Sequence, residues 1–180
     1  MSQMIRKAVK DDVSSIVRIY DAILDREEEA EEKLIGWVRG IYPTEQTAED
    51  ALRKGTLFVY EENGEIVAAA KIDQEQVCEY ADCHWEFDAP DNEIMVMHTL
   101  VVDPQCSKKG YGKSFLDFYE EYAVKNGCGY LRIDTNEKNT VARSMYKRNG
   151  YNEVGIVPCS FNGIKGVNLV CLEKRIQYDR

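Results

Sequence analysis

Apolar and polar positions along the chain recur with two different periods, and the places where the period changes mark its elements. Met4 to Ala8 can form a short first strand. Val13, Ile16, Val17, Ile19, Tyr20, Ile23 and Leu24 then recur at helical spacing behind Asp11 and Asp12, either of which can cap the helix. The acidic run Glu27–Glu32 looks like a solvated helix face. It leads into Leu34, Ile35, Trp37, Val38 and Ile41, which predicts a second helix, or a continuation broken near Arg26, ended by Pro43. Thr47 to Lys54 predicts a further short helix closed by Gly55.

The next stretch alternates with period two. Thr56–Glu61 and Glu65–Ile72 are β-rich runs joined through Glu62-Asn63-Gly64, and Asn-Gly between such runs is a strong hairpin signal. Asp73 to Asn92 is irregular, polar and aromatic. Glu93–Val102 predicts a long strand ending at Asp103-Pro104. A helix follows, with Phe115, Phe118, Tyr119 and Tyr122 as its buried stripe and Gly127 as its stop. Tyr130–Asp134 predicts a strand, Asn139–Asn149 a helix stopped at Gly150, and Val154–Val157 and Val167–Glu173 two closing strands. The implied fold class is α/β, more strictly an α+β mixed sheet of about six to seven strands with helices on its faces. The parallel step runs from Glu93–Val102 to Tyr130–Asp134 through the helix between them. Ligands of such units sit at the carboxyl ends of the strands.

At that end lies the stretch with most chemistry in it. Lys108 and Lys109 directly precede Gly110-Tyr111-Gly112-Lys113 at the start of a helix. A helix start offers unpaired backbone N–H groups and the positive end of the dipole, and glycine lets a phosphate approach closely. A pyrophosphate-bearing ligand is therefore expected. A triphosphate loop, G-x-x-x-x-G-K-S/T, would need glycine where Ser107 stands, and the dinucleotide motif G-x-G-x-x-G fails at Phe115.

At 180 residues the chain suits one domain, 1–180. Its composition, 44% apolar and 31% charged, is that of a soluble globular protein. The net charge of −9 argues against a nucleic-acid surface; it suits a cationic partner, although solubility alone explains it equally well. There is no apolar run of about 18 residues and no secretory core at the start, so no membrane association is expected and the location is expected to be cytoplasmic. The six cysteines are then expected to be reduced. Cys78, Cys83 and His84 are clustered enough to raise zinc, but a fourth ligand is missing, and no metal is expected.

Two blocks together resemble the GNAT superfamily of N-acetyltransferases. Leu100-Val101-Val102-Asp103-Pro104 followed by Lys109-Gly110-Tyr111-Gly112-Lys113 is similar to that family's strand and acyl-CoA loop, Q/R-x-x-G-x-G/A. Asn139 to Tyr151 matches N-x-x-A-x-x-x-Y-x-x-x-G-F/Y at every named position, through Asn139, Ala142, Tyr146, Gly150 and Tyr151. The likeness runs from Ile5 to about Glu173. It departs at Ser107, where the family has Gln or Arg, and this bears on cofactor affinity.

The resemblance implies a sheet splayed at the acyl-CoA site and acetyl-CoA as cosubstrate. Its pyrophosphate would lie on the N–H groups of Lys108, Lys109, Gly110, Tyr111, Gly112 and Lys113. Its pantetheine arm would pair with the backbone of Leu100, Val101 and Val102, as an added strand. An N–H there, hydrogen-bonded to the thioester oxygen, contributes on the order of 3 kcal/mol to lowering the barrier. Asn139 would contact the arm. His98 is the candidate base, since most amines are protonated near neutral pH and some members carry a histidine here. Glutamate bases of other members map nearer Val96, on the same strand face, and Glu93 is a more distant alternative. Tyr146 is the candidate acid for the leaving thiolate. For His98 and Tyr146 the alternatives are ordering a strand and packing a helix. Cys106 could relay an acyl group, or be a small structural thiol.

The resemblance also implies that the acceptor is an amine of a small molecule or peptide. Trp37, Tyr42, Tyr80 and Trp85 could line it as an aromatic wall, or could simply pack. Besides an N-acetyltransferase, a non-catalytic acyl-CoA-binding sensor and a nucleotide-binding protein fit parts of the pattern. The family accommodates homodimers, and no sequence feature decides that here.

Overall fold

A computed structural model of the chain describes residues 3–160 and 163–177. Its strands are β1 (Gln3–Lys7), β2 (Leu57–Glu62), β3 (Glu65–Asp73), β4 (Ile94–Val102), β5 (Tyr130–Asn136), β6 (Asn152–Pro158) and β7 (Asn168–Arg175). Its helices are α1 (Val13–Glu29), α2 (Glu45–Arg53), α3 (Tyr111–Lys125) and α4 (Thr140–Arg148). The strands form one open, mixed seven-stranded sheet in the order β1-β2-β3-β4-β5-β7-β6. By contacts the chain falls into two compact units. One takes in the chain up to Glu32, Trp37–Ile72 and His98–Phe118. The other takes in Lys33–Gly36, Asp73–Met97 and the chain from Tyr119 onward.

In the first unit β1, β2 and β3 form an antiparallel ladder. Asn63 and Gly64 both take positive φ, 53° and 82°, as a two-residue hairpin turn of this hand requires. The apolar face of α1 buries Ile16, Ile19 and Tyr20 against Ala48 and Ala51 of α2 and Leu57 and Val59 of β2. Thr44 precedes α2, its backbone N–H donating to Thr47 Oγ1 at 2.9 Å, so the helix starts earlier than its apolar pattern does.

In the second unit the first half of β4 runs parallel to β5, over Ile94–Val96 and Tyr130–Arg132 only. The whole of β5 pairs antiparallel with β7, and β7 pairs on its other side with β6. The last strand of the chain thus enters between β5 and β6. Tyr119, fully buried, donates its hydroxyl to the Met95 carbonyl at 2.6 Å and lies 3.2 Å from that of Arg132.

Three expectations are corrected. No helix forms over Leu34–Ile41. Gly36 and Gly40 take left-handed φ of 79° and 77°, and Val38 bridges Tyr42 across a tight turn. The buried stripe of α3 is Tyr111, Phe115, Leu116, Tyr119 and Ala123, with Phe118 and Tyr122 only half-buried at its margin. In the acidic run Glu27 is buried, while Glu28, Glu29, Glu31 and Glu32 are exposed as expected. Among the described residues no helix is long and apolar enough to cross a membrane.

Candidate functional site

The predicted residues divide between the units: His98, Leu100–Val102 and Lys108–Lys113 belong to the first, Asn139 and Tyr146 to the second. In the first, β4 does not run on as a regular strand. Thr99 takes φ +51°, a left-handed conformation that a β-branched residue avoids. Such a residue costs of order 1–3 kcal/mol and persists only where its surroundings hold it. The Thr99 hydroxyl is hydrogen-bonded to that of Tyr42. His98, half-buried, directly precedes this break, and Leu100, Val101 and Val102 follow it. The break changes which backbone groups point to each side of β4 from Leu100 onward. Nothing in the sequence pattern marked it, because threonine disfavours the conformation.

After β4 the chain is anchored at several points before it turns into the loop. Asp103 receives a 2.8 Å hydrogen bond from Arg18 on α1 and a 2.9 Å bond from the Gln105 N–H, and its own N–H donates to the Val67 carbonyl at 2.8 Å. Burial alone would raise the Asp103 pKa, but the bonds from Arg18 and Gln105 outweigh it and hold the carboxyl below its ordinary range. Arg26, also on α1, reaches the Pro104 carbonyl at 3.2 Å. Two turns of one helix thus hold the entrance of the loop. Cys106 is half-buried, and its N–H bonds back to the Asp103 carbonyl at 2.8 Å.

Residues 107–110 are exposed, with left-handed φ of 65° at Lys108 and 82° at Gly110. A Cβ at Gly110 would meet nothing within 4 Å, so its glycine serves the hand of the backbone rather than close packing. α3 begins at Tyr111, whose ring lies 5.0 Å from that of Tyr60 and whose hydroxyl donates to Glu62 on β2. That carboxylate pushes the Tyr111 phenol up to about 12. Lys113 pairs with Asp117 one turn along, at 2.7 Å. The first N–H groups of α3 have no carbonyl partner within the helix, and Lys108, Lys109 and Lys113 supply positive charge beside them. This arrangement fits an anionic group such as a pyrophosphate.

In the second unit Asn139 caps α4, its Oδ1 accepting from the Ala142 N–H at 3.2 Å. Tyr146 is 5% exposed, stands edge-on to Tyr151 at 6.0 Å, and among the described residues makes no hydrogen bond through its hydroxyl. Burial, and then the charge of Asp134, raises its pKa well above that of a free phenol. Asp134 on β5 accepts a 2.6 Å bond from the buried Tyr80 hydroxyl, a pair the sequence pattern did not reveal.

The aromatic residues separate. Trp37 and Tyr42 pack edge to face at 5.9 Å in the first unit. Tyr80 and Trp85 pack at 5.0 Å in the second, where the Arg132 guanidinium lies 4.1 Å over the Trp85 ring and occupies one face. The cysteines and histidine considered for zinc also diverge. Cys78 donates to Glu79 at 3.2 Å, Cys83 is buried beside Cys171, and His84 is exposed.

Residues 18–151 match the model of the acetyltransferase (GNAT) family. An uncharacterized N-acetyltransferase of Methanocaldococcus jannaschii, MJ1207, is 25% identical over 85% of this chain and 62% of its own length. The chain spans less than two thirds of the length of the curated relatives it matches. Among solved structures, a GNAT-family acetyltransferase of Streptococcus agalactiae superposes with a TM-score of 0.80 at 19% identity, over 98% of this chain and 96% of that one. The yncA protein of Salmonella typhimurium, solved with its cofactor acetyl-CoA, gives 0.71 at 16% identity, over 100% and 97%. With the fold and a glycine loop opening α3 in place, the chain belongs to the GNAT family of acetyltransferases.

Proposed function

We propose that this chain, acting as one domain, transfers the acetyl group of acetyl-CoA to a primary amine of a small molecule or peptide by direct attack on the thioester. The observation that carries this reading is the sequence of features at the end of β4: the left-handed break at Thr99, the loop held by Arg18 and Arg26, and the start of α3 directly after the glycine loop. Lys108–Lys113 hold the pyrophosphate through backbone N–H groups, and Leu100–Val102 pair with the pantetheine arm. Asn139 also contacts the arm, in addition to capping α4.

The amine nitrogen attacks the thioester carbon, and the carbon–sulfur bond breaks. His98 takes the proton from the amine, and Tyr146 gives its phenolic proton to the departing thiolate. Burial raises the Tyr146 pKa, which keeps the phenol protonated at neutral pH and so supports a role as proton donor, while making it a weaker acid than a free phenol. Among the described residues the cysteines form no disulfide, which supports work in the reducing cytoplasm. Assembly as a homodimer is part of the proposal on family grounds alone.

Thermal unfolding with acetyl-CoA, CoA or Mg-ATP added separately tests the donor. A ligand at 100 times its dissociation constant stabilises by about 2.7 kcal/mol. Stabilisation by both CoA ligands and not by Mg-ATP, followed by thiol release with an amine panel, is the expected result. No response to saturating acetyl-CoA or CoA would overturn the reading. Binding without thiol release from any amine would leave an acyl-CoA-binding module.

A further inference from the structure

Within the first unit, the turn between α1 and α2 reaches the break in β4 through the Tyr42 side chain. Val38 and Tyr42 close that turn, with the Val38 N–H on the Tyr42 carbonyl at 3.2 Å and the Tyr42 N–H on the Val38 carbonyl at 3.0 Å. Trp37 braces the Tyr42 ring edge-on at 5.9 Å. The Tyr20 phenol, buried on α1, is close enough to Tyr42 to be electrostatically coupled to it. So held, the Tyr42 hydroxyl bonds the Thr99 hydroxyl, at the one residue of β4 whose backbone is left-handed.

We infer that Tyr42 is a positioning residue for acetyl transfer: its hydroxyl pins Thr99 in the left-handed conformation and so fixes the direction of the Leu100 N–H and the placement of His98. The inference rests on the acetyl-transfer reading for its effect on rate, and on the contact itself for its effect on the strand. A threonine left to itself relaxes toward extended backbone. An N–H that must meet developing charge on a thioester oxygen loses its effect when misdirected, because such donors act through preorganisation. Placing the pin on the turn after α1 also ties the acceptor-side segment to the donor strand. Disturbance of that turn is then felt in the chemical step rather than in cofactor binding.

The test uses the full chain with Tyr42→Phe, Thr99→Val and Thr99→Gly, in steady-state kinetics and hydrogen exchange of the peptide covering Thr99–Val102. Phe removes only the hydroxyl. Val keeps the branched shape and the aversion to positive φ, whereas Gly adopts it freely. The expected result is a fall in kcat of about tenfold for both Y42F and T99V, with the KM for acetyl-CoA within about twofold, as misdirected reacting groups produce. The double variant Y42F/T99V is no worse than either single variant. T99G stays within about threefold of wild type, because glycine holds the hand without the pin. Exchange over Thr99–Val102 is faster in Y42F and T99V at unchanged melting temperature.

Wild-type exchange in Y42F, multiplying losses in the double variant, or a T99G as slow as T99V would each overturn the inference. If wild type binds CoA but acetylates no amine, the acetyl-transfer reading fails on its own. The exchange comparison then still decides whether Tyr42 pins Thr99.

Discussion

Arg18 on α1 and Asp103 after β4 form a 2.8 Å ion pair in which the carboxylate is buried and the guanidinium is half in solvent. The two ends of the pair therefore do different work. Asp103 needs its bonds, because a buried carboxylate without them is costly, whereas Arg18 would be hydrated anyway. The pair fixes where β4 stops and the glycine loop begins.

Substituting Asp103 by Asn should cost about 1–2 kcal/mol of stability at pH 7, the usual scale for losing a charged hydrogen-bond partner. The pH dependence follows from the lowered pKa of Asp103. The carboxylate's contribution is complete above the free-chain aspartate value of about 3.9 and is lost as pH falls through the lower folded value. Urea unfolding of both proteins at pH 7 and in steps down to pH 2.5 measures this. The gap should narrow only at the acid end, and a constant gap over the series would contradict the assignment.

Gly36 is a second point where backbone geometry is decisive. It takes φ +79°, and a Cβ built on it would lie 2.7 Å from both the Asn136 side-chain nitrogen and a Val167 methyl. Gly36→Ala therefore combines a strained φ with overpacking and should destabilise by about 2–4 kcal/mol. Gly40→Ala shares the strained φ, at +77°, but meets nothing within 4 Å, and should cost only about 1 kcal/mol. Chemical denaturation of the two variants side by side separates the terms, and equal losses would refute the packing argument.

The loop before α3 should respond to charge and to backbone hand separately. Gly110→Ala strains a φ of +82° without a clash and should weaken CoA binding by about fivefold, the equivalent of roughly 1 kcal/mol. Ser107→Arg adds a charged donor where the family pattern carries Arg or Gln, and should tighten CoA by about three- to tenfold through charge-assisted hydrogen bonding. Calorimetric titration with CoA decides both. Unchanged affinity in both variants would mean that the pyrophosphate lies elsewhere.

Tyr146→Phe should lower kcat by about 10- to 100-fold, the range for loss of a general acid, with CoA affinity unchanged. Because burial raises the phenol's pKa, wild-type kcat should show no alkaline fall from Tyr146 ionisation below about pH 10, the ordinary tyrosine value. A wild-type alkaline limb near pH 8 that disappears in Y146F would show that the phenol ionises early and cannot be the acid.

Local patterns in the chain were enough for most of its elements. The Asn63-Gly64 hairpin, the apolar face of α1, and α4 with its stop at Gly150 depend on residues within a few positions of each other, so spacing reveals them. The glycine loop and the Asn139–Tyr151 block identified the family for the same reason, being contiguous. The segment Leu34–Ile41 has helical spacing but no helix, because Gly36 and Gly40 adopt left-handed backbone and Gly36 packs tightly against Asn136 and Val167, about a hundred residues or more away in the chain.

What the sequence determined by itself was therefore most of the elements, the mixed α/β class and the two family blocks, since local propensity and spacing are properties of neighbouring residues. Only the tertiary structure decided that β7 enters between β5 and β6, that Asp103 is held by Arg18, and that Thr99 turns left-handed against Tyr42. Each of these is a contact between residues far apart in the chain. The last also opposes the local preference of the residue that adopts it, so no local pattern could carry it.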